Sequence, residues 1–449
     1  MQVLAPAKAL PGAHDVHEIL DRHILADGYK MVLDMERSHG IHLHDATSGQ
    51  DYVDLFTFYA SNPLGMNHPG LAGGSESAQA FRARLMDAAI NKVANSDIYT
   101  PHFARFLETF SRVGIPEEMT HAFFVSGGAL AIENALKTAF DWKVRKNLAA
   151  GRGELGTQVI HFREAFHGRS GYTMSLTNTD PNKVRYFPKF DWPRISNPAI
   201  RYGDGLADIE ARETHAIEEA KAAFAANPHD IAAIILEPIQ GEGGDNHFRP
   251  QFLQALRHLA DENDALLIFD EVQTGVGLTG TMWAWQGLGV APDVMAFGKK
   301  TQVCGILAGP RVDEVDDNVF QRSSRINSTW GGNLVDMVRF DRILEVLEED
   351  DLIANAAHEG EHLIARLREM EDRFEGVTHA RGRGLMCAFD LPDTETRNAV
   401  VSRAYEHGAV VLGCGPRSIR FRPALIIDTA GLDLGLDILR QSLEDVLEA

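Results

Sequence analysis

Leu266-Leu267-Ile268-Phe269-Asp270-Glu271-Val272-Gln273-Thr274-Gly275, with Asp293-Val294-Met295-Ala296-Phe297-Gly298-Lys299 downstream, decides how this chain folds. Each stretch is an apolar run that stops at one functional group, a carboxylate in the first and an amine in the second. Neither run alternates apolar with polar residues. Continuous apolar strands of this kind belong in a parallel sheet covered on both faces. Ligands of such sheets bind beyond the carboxyl ends of the strands, where Asp270 and Lys299 fall. Taken singly, Asp270 reads equally well as a helix cap and Lys299 as a solvated loop lysine. Together, at neighbouring strand ends, they suit pyridoxal phosphate: the lysine forms the Schiff base, and the carboxylate keeps the pyridine nitrogen protonated so that the ring accepts electrons.

Outward from this pair, residues 71–330 alternate helices with short apolar strands, expected at His121–Val125, Gln158–Phe162, Ile231–Leu236, 265–269 and Val294–Phe297. Met337, Phe340, Leu344 and Leu347 form the buried stripe of a long helix leading into a smaller C-terminal unit. There Leu385, Cys387 and Phe389 alternate as in a half-buried strand, and 432–447 reads as a final amphipathic helix. A hairpin runs from Gly40 through Asp45 to Tyr52-Val53-Asp54; its histidines, His39, His42 and His44, read as solvated imidazoles on a strand rather than as metal ligands. The expected division is 1–70 as the N-terminal part of a small domain, 71–334 as the large domain and 335–449 as the C-terminal small domain.

The 449 residues are 44% hydrophobic, enough for a sizeable core. The formal charge of −21 sets an acidic surface against nucleic acid and anionic lipid, so neither is an expected partner. With no apolar run long enough for a membrane span or secretion signal, and with the widely separated Cys304, Cys387 and Cys414 read as inert thiols, the expected location is the cytoplasm.

Several segments carry further chemistry. Ser126-Gly127-Gly128-Ala129 ends a strand and opens a long helical run, where backbone amides and the helix dipole favour a phosphate; a plain strand-to-helix turn fits it equally well. Phe166-His167-Gly168-Arg169 offers a ring to stack on a heteroaromatic and a guanidinium fork for a carboxylate. Glu237-Pro238-Ile239-Gln240-Gly241-Glu242-Gly243-Gly244 places two acids on a glycine-rich loop that is free to swing. Asn327-Ser328-Thr329-Trp330-Gly331-Gly332-Asn333 supplies hydroxyls and amides before the long helix, as an anion site, an N-cap or both. Ile419-Arg420-Phe421-Arg422 puts two arginines on one strand face. Gly275-Val276-Gly277-Leu278-Thr279-Gly280 spells the dinucleotide-loop pattern, but it opens no helix and four residues separate it from its strand.

These segments in combination resemble the class-III aminotransferases over nearly the whole chain. The stretches 165–172, 188–194 and 297–305 are similar to the bacterial branch that acts on the terminal amine of lysine. The resemblance implies a fold-type-I, pyridoxal 5'-phosphate enzyme. Its mostly parallel, seven-stranded-type sheet would lie in a large domain, with a smaller α+β domain built from both chain ends. It also implies transfer of the lysine ε-amino group to 2-oxoglutarate, the alternatives being another ω-amine donor such as ornithine or 4-aminobutyrate, or an aminomutase. By resemblance, Lys299 carries the Schiff base, Asp270 pairs with the ring nitrogen and Gln273 with the ring hydroxyl. Val272 and Phe166 flank the ring, and Gly127 and Gly128 bind the phosphate. Ser328 and Thr329 reach the phosphate of a neighbouring subunit, which implies an obligate homodimer. Arg169 grips a substrate carboxylate with Asn327 and His167 nearby, and Glu242 and Arg420 form a substrate switch. No metal is implied. The chain departs from the family pattern at Gly128, where Ser or Thr is usual, at Leu130, where Glu is usual, and at Lys300-Thr301-Gln302, which replace a glycine-rich tail. Lys300 therefore competes with Lys299; adjacent side chains point opposite ways, so only one faces the ring, and Lys299 is preferred because it directly follows the strand-end glycine.

Overall fold

The computed structural model describes residues 10–448. Its centre is a seven-stranded sheet in the order His121–Val125, Cys304–Ala308, Val294–Phe297, Leu266–Asp270, Ile231–Leu236, Gln158–Phe162, Arg194–Ile195. All strands share one direction except Cys304–Ala308, which is antiparallel to both neighbours. The apolar runs are continuous because both faces are covered. Leu266, Ile268, Val294 and Ala296 join one core with Ala131, Ile132, Ala135 and Leu136 of the helix Gly128–Ala149. Leu267, Phe269, Met295 and Phe297 alternate into a second core with helices Pro101–Val113 and Pro250–Glu262.

The strand expected at 265–269 starts and ends one residue later, so Asp270 is its last residue, opposite Ala296. Cys304–Ala308 was not anticipated. It is short and contains Gly305, which reads as a breaker; here the glycine is required, because a Cβ on it would lie 2.2 Å from the Phe123 carbonyl oxygen.

Two smaller sheets flank the large one. Leu33–His39, His42–Asp45 and Asp51–Asp54 form an antiparallel meander, and Ala409–Val410 adds to it in parallel, joining the two ends of the chain. Thr378–Arg383, Met386–Asp390, Ser418–Phe421 and Leu412–Cys414 form the other. The helix Leu334–Glu349 buries Met337, Phe340, Leu344 and Leu347, and the last helix spans Thr429–Leu447. Met386–Asp390 corrects the half-buried reading: every residue in it is buried, with helix Leu352–Arg373 packed against it. His44 is corrected as well. It is 3% exposed, and its Nδ1 lies 2.7 Å from Asp51 Oδ1, so a carboxylate rather than water satisfies it. The glycine-rich run 275–280 is a chain of turns, and no helix begins before Ala284. Gly277 and Gly280 have φ of +80° and +83° and face Ile353 and Ala357, so these glycines serve close packing against a helix. Among the described residues no helix is long and apolar enough to cross a membrane.

Candidate active site

The shared strand direction brings Phe162, Leu236, Asp270, Phe297 and Val125 to one edge of the sheet, and the loops that follow them build the site. The Asp270 carboxylate is fixed from two sides: His167 Nδ1 lies 2.8 Å from Oδ2, and Oδ1 accepts from the Val272 amide at 3.1 Å. His167 is itself held by its amide, which donates to Thr177 Oγ1, and its buried Nε2 has no partner among the described residues.

Lys299 follows Gly298 with φ of +55°, a left-handed conformation that costs a lysine energy and is sustained by its surroundings. Burial pushes its amine down to about 8; Arg420 adds to this and Asp270 opposes it. Lys300 has a different environment. Its Nζ donates to the carbonyls of Gln273 at 2.7 Å and Ala60 at 3.3 Å, and burial holds its amine well below the usual lysine range.

The loop after Ile231–Leu236 carries two acids with separate tasks. Glu237 is buried; it accepts from the amides of Phe166 at 2.9 Å and Gly241 at 3.0 Å, tying two loops together. Burial pushes its carboxyl up to about 7. Glu242 faces two cations, Arg420 Nη2 at 2.7 Å and Lys183 Nζ. Burial works against its charge, but Arg420 and Lys183 outweigh it and hold the carboxyl below its ordinary value. Gln273 Oε1 accepts from Arg420 Nη1 at 3.4 Å and Arg422 Nε at 3.0 Å, while Arg422 pairs with the fully buried Asp245. Both arginines of Ser418–Phe421 and its extension thus reach the same glutamine.

Two residues beyond Val125, at the same sheet edge, Gly127 (φ +111°) precedes helix Gly128–Ala149, whose N-terminus has no side-chain cap and so leaves its amides for a ligand. A Cβ on Gly128 would lie 3.1 Å from Val272 Cγ1, a tight contact that the Val272 side chain would have to give way to.

Other expected residues lie apart. Arg169 is exposed and lines a cleft of about 760 Å³ with Tyr172, Met174, Phe187 and Phe190. Asn327 and Thr329 are exposed and Ser328 is half-buried, on a loop held by its own bonds: Ser328 amide to Asn327 Oδ1, Gly331 amide to Ser328 Oγ, and Ser96 Oγ to the Thr329 carbonyl. The sequence reading missed Lys183, the tie made by Glu237 and the Asp245–Arg422 pair. Asp245, directly after Gly243-Gly244, was a visible charge in need of a partner. Nothing in the spacing pointed Lys183 at Glu242.

The class-III aminotransferase family model matches residues 24–443. The L-lysine-epsilon aminotransferase of Mycobacterium tuberculosis is 56% identical over 430 residues, 95% of each chain, and that of Amycolatopsis lactamdurans is 52% identical over 98% of each. A solved structure, the M. tuberculosis lysine aminotransferase in the internal aldimine form, superposes with a TM-score of 0.95 at 55% identity, covering 97% of this chain and 100% of that one. This chain belongs to the class-III aminotransferases, and its fold is the fold-type-I architecture of that family. Among these relatives, both curated proteins are lysine aminotransferases.

Proposed function

We propose that this chain transfers the ε-amino group of L-lysine to 2-oxoglutarate, with pyridoxal 5'-phosphate as cofactor. The products are L-glutamate and 2-aminoadipate 6-semialdehyde, which cyclises. One observation carries the reading: a Glu242–Arg420 pair stands at the same sheet edge as Lys299 and the His167–Asp270 pair.

The residues present fit the cofactor. The amine, the fixed carboxylate, the uncapped helix N-terminus kept open at Gly128 and the orphaned His167 Nε2 match its aldehyde, ring nitrogen, phosphate and polar ring edge. Lys299 Nζ would hold the aldehyde carbon and Asp270 the ring nitrogen. Phe166 and Val272 would flank the ring, Gln273 would donate its amide to the ring hydroxyl, and Gly127 and Gly128 would cradle the phosphate. When bound, the cofactor supplies an electron sink for charge developing at the substrate carbon. Asp270, held in place by His167, would keep the ring nitrogen protonated. Lys299 Nζ, once free, removes a proton from the substrate carbon and returns it, a role suited to an amine near 8.

Two substrates use the site in turn. Lysine brings an ω-amine on an apolar chain; 2-oxoglutarate brings a second carboxylate. With Glu242 on Arg420 the guanidinium is neutralised and lysine is accommodated; with Glu242 displaced, Arg420 receives the dicarboxylate. Arg169 would grip the carboxylate that both substrates share, helped by Asn327. The exposed Asn327–Thr329 loop supports a homodimer in which Ser328 and Thr329 serve the partner's phosphate. In this reading 71–334 forms the cofactor domain, and 1–70 with 335–449 forms the smaller one. The buried free thiols of Cys304, Cys387 and Cys414 suit a cytoplasmic setting.

An amino-donor screen with 2-oxoglutarate as acceptor tests the proposal. Glutamate should form fastest with lysine. Preference for ornithine or 4-aminobutyrate would replace the substrate but keep the chemistry, and turnover of lysine without 2-oxoglutarate would indicate an aminomutase.

A further inference from the structure

Glu242 does not hold Arg420 alone. Its Oε2 accepts from Arg420 Nη2 at 2.7 Å, and its Oε1 is bound by Lys183 Nζ. One carboxylate bridges two cations from distant parts of the chain. Lys183 is set for this contact. It lies in the turn Pro181–Val184, which starts with proline and is capped by Asp180, whose side chain accepts from the Asn182 amide at 2.9 Å. Its ammonium also lies 5.5 Å from the centre of the Phe166 ring, so it touches both the swinging acid and the ring-flanking aromatic. The two cations differ in freedom: the Arg420 side chain is 2% exposed and packed, whereas those of Lys183 and Glu242 are 25% and 26% exposed.

A substrate switch at Glu242 has a physical requirement. A largely buried carboxylate that leaves its only cation becomes an unpaired buried charge, which costs far more than a surface ion pair returns. A carboxylate already shared between two cations avoids this. It gives up Arg420 through one oxygen and keeps Lys183 through the other, and a cation on a long flexible stem, here an ammonium with three donors, follows the motion.

We infer that Lys183 is the anchor about which Glu242 moves, a specificity-determining residue that favours the dicarboxylate half of the reaction. This rests on the switch reading of Glu242. Without Lys183, Glu242 has Arg420 as its single cation and clings to it. A dicarboxylate must then displace it at greater cost, whereas the lysine half-reaction keeps its neutralised arginine.

The test uses holoenzyme and single-turnover measurements of each half-reaction in Lys183→Met, Lys183→Arg and Glu242→Gln. In Lys183→Met, the 2-oxoglutarate concentration giving half-maximal rate should rise at least about tenfold relative to that for lysine, the effect of one charged hydrogen bond. Lys183→Arg should recover most of the ratio, and Lys183→Met should add nothing in a Glu242→Gln background. Equal loss in both half-reactions, or a shift that persists in Glu242→Gln, would overturn the anchor role. If Glu242→Gln itself leaves the substrate ratio unchanged, the switch reading fails first and the anchor falls with it; if it shifts the ratio and Lys183→Met does not, the anchor alone is wrong.

Discussion

Adjacent lysines at one strand end offer a sharp comparison at the scale of the residue. Lys300 spends its ammonium on two carbonyls, those of Gln273 and Ala60, while Lys299 stands among Arg420, Asp270 and Glu237. Lys299→Ala should therefore lose both the visible absorbance of bound cofactor and turnover, whereas Lys300→Met should retain both; absorbance spectra of the purified variants decide it. The same amine predicts a pH dependence. Only the neutral form attacks an aldehyde, and burial lowers its pKa from the ordinary lysine value of 10.5 to about 8. Loading of cofactor onto apoenzyme should accelerate about tenfold per pH unit below 8 and level off above it. A rate still climbing past pH 9 in stopped-flow traces would mean an unperturbed amine. Asp270→Asn should bind cofactor yet slow the lysine half-reaction by about a hundredfold or more, because an amide beside His167 cannot keep the ring nitrogen protonated. Rapid-mix measurement of that half-reaction alone is the check.

Among elements, the helix Leu352–Arg373 packs the C-terminal sheet against the glycine turns 275–280. Gly360 on this helix lies directly against Gly384, in the turn between strands Thr378–Arg383 and Met386–Asp390; a Cβ on Gly360 would come within 2.4 Å of the Gly384 carbonyl. Gly384 in turn has φ of +55° and touches the backbone of Leu278 and Thr279. Backbone meets backbone on both sides, so nothing flexible gives way. Gly360→Ala should cost roughly 1–3 kcal/mol of stability despite being helix-favouring by propensity, visible as a lowered thermal midpoint of the holoenzyme. Periodicity found five of the seven strands of the large sheet because both faces are apolar and each of those runs is long enough to read; the edge strand Arg194–Ile195, two residues long, was too short to show a pattern. It misjudged Met386–Asp390, where the intervening Met386 and Ala388 are also buried, and it passed over Cys304–Ala308, whose glycine is imposed by a neighbouring strand.

For the whole molecule, the decisive prediction is complementation between subunits. The Asn327–Thr329 loop is exposed and is bonded to itself and Ser96 rather than to the Lys299 group. If Thr329 serves the partner's phosphate, Thr329→Ala and Lys299→Ala are each impaired at both sites of their own dimers. A mixed dimer places both lesions in one site and none in the other, so activity should return at one site of the two. Mixed dimers verified by mass but still inactive would assign Thr329 to its own chain.

The amino-acid sequence by itself determined the class of fold, because apolar runs such as Leu266–Asp270 and Val294–Phe297 are buried by their own composition whichever helix covers them. It also marked Asp270 and Lys299, since the end of such a run is a local event. Resemblance had paired Glu242 with Arg420, but the tertiary structure alone brought Lys183 to the same acid and His167 to Asp270. His167 meets Asp270 from 103 residues away, Arg420 meets Glu242 from 178 and Lys183 meets it from 59. No periodicity spans those separations. Ion pairs are short-ranged in space and indifferent to sequence distance, so only the folded chain determines which acid each cation neutralises.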